Sequence, residues 1–181
     1  MTNMKVEKFQ HRWLLPVVIL LGFFIDGSLA LAFSNFFYDN NLQMAPQLFL
    51  MALVVCTFAM PSSNLLFWYA LVGGLAYDLF YTGLIGLYTL IGPLTYLLTK
   101  ALLAYFGKQP IYQLGTFVIA VFIGQVILYF LADFFNLATV SLGGFISDAL
   151  APTILLNVVL FAIFFVPARW LLQFIHQKRG R

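Results

Sequence analysis

Polar residues are so sparse in this chain that they act as punctuation. Apolar runs at about 13–37, 47–60, 65–81, 87–106, 111–135 and 145–172 are separated by short polar or Gly/Pro-bearing breaks. A helix needs about 20 apolar residues to cross the roughly 30 Å hydrocarbon core of a bilayer, and most of these runs reach or approach that length. The second does not. It lies between Pro46 and Pro61-Ser62-Ser63-Asn64 and offers only about 14 residues, so it either recruits residues from Leu42 onward or sits tilted and shielded by its neighbours. The break at 82–86 (TGLIG) is required, because a continuous helix over 65–106 would measure about 60 Å. The pattern predicts an all-α polytopic membrane protein of six transmembrane helices, one integral membrane domain over 1–181.

Composition excludes the other classes. The chain is 63% hydrophobic and 8% charged, whereas soluble domains carry about 25% charge. Disordered chains are poor in the aromatic and aliphatic residues that abound here, including 21 Phe. The N-terminal Lys5, Lys8 and Arg12 precede an apolar stretch as in a signal peptide. No A-x-A-like cleavage site follows, so the stretch reads as a retained first span. The single Cys56 permits no intramolecular disulfide.

Charge sets the expected orientation. With six spans, segments 61–64 and 107–110 share a side with both termini, and segments 38–46, 82–86 and 136–144 lie opposite. All 9 Lys and Arg fall at or beside the first side: Lys5, Lys8, Arg12, Lys100, Lys108, Arg169, Lys178, Arg179 and Arg181. That asymmetry predicts that both termini are cytoplasmic. The basic tail suits an anionic leaflet, and nothing in the sequence points to nucleic acid.

The acidic residues are placed oppositely. Asp26, Asp39, Asp78, Asp133 and Asp148 belong to the outer half, with Asp26 and Asp78 each about 20 Å above the inner edge. An intramembrane carboxylate costs roughly 2.5–3.5 kcal/mol on insertion scales, and no Lys or Arg of this chain sits at that level. Three escapes are open: protonation, hydrogen bonds from Tyr77, Tyr81, Tyr88, Ser28 or Thr82, or a cation from a partner. For Asp78 the free N–H groups opening the fourth span are a further donor set, favoured by the helix dipole. On that reading Asp78→Asn is mild and Asp78→Leu severe. Both aspartates lie on small-residue faces, Gly22-Asp26-Ala30 and Ala70-Gly74-Asp78-Thr82, which suit close helix packing within the chain or against a partner helix. Gln125 and Asn157 fall at matched depth on antiparallel spans, which predicts an interhelical hydrogen-bonded pair.

Enzymatic constellations are missing. His11 and His176 stand at opposite chain ends with no Cys or Glu at ligand spacing, and no phosphate loop, G-x-S-x-G or H-E-x-x-H occurs. No enzyme activity, metal or cofactor is expected.

Segment 73–98, GGLAYDLFYTGLIGLYTLIGPLTYLL, resembles the MreD family of rod-shape-determining membrane proteins. The resemblance rests on Tyr77, Asp78, Leu79, Phe80, Gly83, Gly86, Pro93 and Tyr96, and extends to Phe24-Ile25-Asp26-Gly27 and Pro46. It implies a non-enzymatic scaffold of the cell-wall elongation machinery that associates with MreC, and through it with MreB, RodA and a class B penicillin-binding protein. The family also looks distantly like the S-components of energy-coupling-factor transporters. That likeness keeps open a solute-binding subunit whose outer aspartates hold a cationic vitamin or ion. Asp26, Gly74, Tyr77, Asp78, Gly83, Gly86 and Pro93 are therefore the candidate partner-binding or structural residues.

Overall fold

The computed structural model describes residues 14–37, 43–136 and 141–177, with side chains described as far as 170. The basic residues before Trp13 and after Gln177, and Asp39, lie outside the described residues. The described chain is helical. Helix α1 (Leu14–Ala32) breaks at Phe33 and resumes for one turn, Ser34–Phe37. Then come α2 (Leu48–Ala59), α3 (Leu65–Tyr77) running into a π-helical turn at Asp78–Thr82, α4 (Leu87–Tyr105) and α5 (Pro110–Phe134). Last is α6 (Ala151–Gln177), reached through a helical turn Leu142–Gly144 and a π-helical segment Phe145–Leu150. Five of these are long and apolar enough to cross a membrane, and α2 is a shorter apolar helix.

Why α2 is short is visible in its burial. All its residues from Leu48 to Phe58 are buried, against α1, α4, α5 and α6. With protein on every side, α2 is spared the spanning length that a lipid-facing helix needs. Its 12 residues span about 18 Å, little more than half the hydrocarbon thickness. The chain does not lengthen the helix by recruiting residues from Leu42, one of the two expectations for this run. It covers the remaining depth as the non-helical segment 43–47, with neighbours shielding the short helix.

Such backbone is tolerated at membrane depth only where protein satisfies its polar groups. Here the segment Phe145–Leu150 and the start of α6 do so by a ladder. Gln43 N donates to Asp148 O (2.7 Å), Ala45 N to Thr153 Oγ1 (3.3 Å) and Gln47 N to Asn157 Oδ1 (2.8 Å). In return Thr153 Oγ1 donates to Gln43 O (3.3 Å) and Asn157 Nδ2 to Ala45 O (2.8 Å). The registers match because two extended residues advance about 6–7 Å, as do four or five helical ones. Pro46, between two rungs, has no N–H to satisfy.

Candidate functional site

The residues of the 73–98 segment meet around Asp78, which is 0% exposed at the start of the π-helical turn. That turn ends at Gly83, whose N–H donates to Asp78 O (2.8 Å) with φ at +68°. Gly86 follows at φ +117°. Both angles are in the left-handed region that costs any residue with a Cβ roughly 1–2 kcal/mol, so the two glycines let the chain reverse within four residues. The reversal aims the first N–H groups of α4 at the Asp78 carboxylate. Its Oδ1 accepts from Tyr88 N (2.7 Å), and its Oδ2 from Gly86 N (2.8 Å), Thr89 N (3.0 Å) and Thr89 Oγ1 (2.8 Å). The Thr82 hydroxyl adds a longer contact to Oδ1 (3.3 Å). The α4 dipole favours an anion at this position.

Asp26 repeats the device in the other half of the molecule. It is 1% exposed on α1, and its two oxygens accept from Leu48 N (2.6 Å) and Phe49 N (2.8 Å), the opening of α2. Its donors are therefore backbone groups, not the tyrosine, serine and threonine side chains expected from the sequence. Each aspartate thus joins two helices distinct in sequence, α1 to α2 and α3 to α4. Both carboxylates are buried against helix-opening N–H groups, so the arrangement fixes backbone geometry where the helices meet.

The small-residue faces are used inside the chain. A Cβ on Gly74 would lie 2.2 Å from Tyr88 O and 2.9 Å from Thr89 N, so α3 and α4 touch backbone to backbone beside the Asp78 cap. On α1, a Cβ on Gly22 would lie 2.8 Å from Leu48 O, beside the Asp26 cap. Each glycine thus brings its helix close enough for the aspartate one turn later to reach the next helix. Tyr77 stacks on Tyr88 (centroids 4.0 Å) and meets Phe23, Phe49 and Tyr81 edge-on or tilted, filling the space between the two caps. Pro93 is buried in α4, where it leaves Thr89 O without its helical donor.

The expected Gln125–Asn157 pair is not what Asn157 makes. Asn157 is 1% exposed, and its amide is engaged by Gln47 N, Ala45 O and Thr153 O. The non-helical segment presents unpaired peptide groups to α6, and these outcompete a side chain on a neighbouring helix. Gln125 instead lines a small gap together with Gln47, Tyr88, Ile91 and Gly124. Gln47, not singled out from the sequence, links the halves of the site: its amide donates to Tyr88 Oη (2.7 Å) and accepts from it (3.1 Å). A polar residue directly before a short apolar run was the available signal. Thr89, three residues past Gly86, was legible in the same way as a helix-opening hydroxyl.

Among known protein families, the model described as rod shape-determining protein MreD matches residues 7–175. No curated protein and no solved structure matches the chain.

Proposed function

Since the chain belongs to the rod shape-determining protein MreD family, we propose that it is a non-enzymatic membrane scaffold of the bacterial cell-wall elongation complex, regulating cell shape by binding an MreC-like membrane protein. Through that partner it connects indirectly to MreB, RodA and a class B penicillin-binding protein. The observation that carries the scaffold reading is the use made of the intramembrane aspartates. Both spend their oxygens on helix N-termini, which gives the bundle fixed hairpins and closes the carboxylates to a substrate. The alternative, a solute-binding subunit arranged like an S-component, needs Asp26 and Asp78 free to hold a cation. Their burial and their bonds to helix-opening N–H groups argue against it.

The scaffold reading is tested by deletion in the native bacterium with cell-width measurement. Rounded or widened cells, together with co-purification of the tagged protein with an MreC-like partner, are the expected result. Normal width with a vitamin requirement would favour the transporter reading. On this reading the protein lies in the plasma membrane with both termini cytoplasmic, and the support is the distribution of its 9 Lys and Arg along the sequence. Topology reporters fused at residues 1 and 181 should both read cytoplasmic, and an outside signal from either end would overturn the arrangement.

A further inference from the structure

We draw no further inference here: the strongest candidate, the small gap among α2, α4 and α5 lined by Gln47, Tyr88 and Gln125, carries nothing because no feature of the structure shows what would occupy it.

Discussion

Asp78→Leu is expected to abolish accumulation of the folded protein in the membrane. The leucine leaves the N–H groups of Gly86, Tyr88 and Thr89 without their acceptor. Each buried unsatisfied donor costs about 1–3 kcal/mol, and three together consume much of a folding stability of roughly 5–15 kcal/mol. Asp78→Asn is not the mild change that the sequence reading expects. Both carboxylate oxygens accept backbone N–H groups, so whichever way the amide is turned its NH₂ confronts an N–H donor. The asparagine should lose at least one cap bond, about 1–3 kcal/mol, and melt between wild type and the leucine variant. Thermal unfolding in detergent, read beside membrane levels, orders the three proteins. An asparagine variant with unchanged melting that fails to co-purify with the MreC-like partner would instead show that Asp78 acts as a charge across an interface.

Gly74→Ala should be nearly as damaging, although it adds a single methyl group. The added carbon would stand 2.2 Å from Tyr88 O and 2.6 Å from Tyr88 C, both backbone atoms that no rotamer change can move. Helix α4 must withdraw, and the residues it withdraws with, Tyr88 and Thr89, are those Asp78 caps. Overpacking alone costs typically about 1–3 kcal/mol, and stretched cap bonds add to it. Gly115→Ala on α5 is the matched control. Nothing lies within 4 Å of its added carbon. Replacing a helical glycine with alanine there should be neutral, or stabilising by up to about 1 kcal/mol. Comparable losses in both variants would mean that the close α3–α4 approach is not what makes position 74 sensitive.

Much of the site was legible because its signals are local. A carboxylate at intramembrane depth must find donors, and the nearest unpaired donors in sequence to Asp78 are the N–H groups that follow the Gly83–Gly86 break. Gly74 one turn earlier supplied the small-residue spacing. Asp26 was legible as a residue in need of partners, but its partners were not. They are backbone groups of Leu48 and Phe49, more than 20 residues away, which carry no residue-type signature. For Asn157 the packing of its helix against that of Gln125 was legible, but the partners of its amide were not, for a related reason. Matched depth constrains height in the membrane but not azimuth around a helix, and the backbone groups of 43–47 competed for the same amide.

Hydropathy by itself determined the helical class, the helix boundaries to within a few residues and the membrane as solvent, because spanning length and apolar content are properties of continuous segments. Basic-residue asymmetry added an expected orientation. The tertiary structure decided what the short second run becomes: a half-length helix buried at the centre, completed by a non-helical segment laddered onto α6. It also decided that both aspartates are helix caps. The physical reason is the same in both cases. In a medium without water every exposed peptide group must find a partner within the protein, and which partner lies in reach depends on how helices distant in sequence are packed.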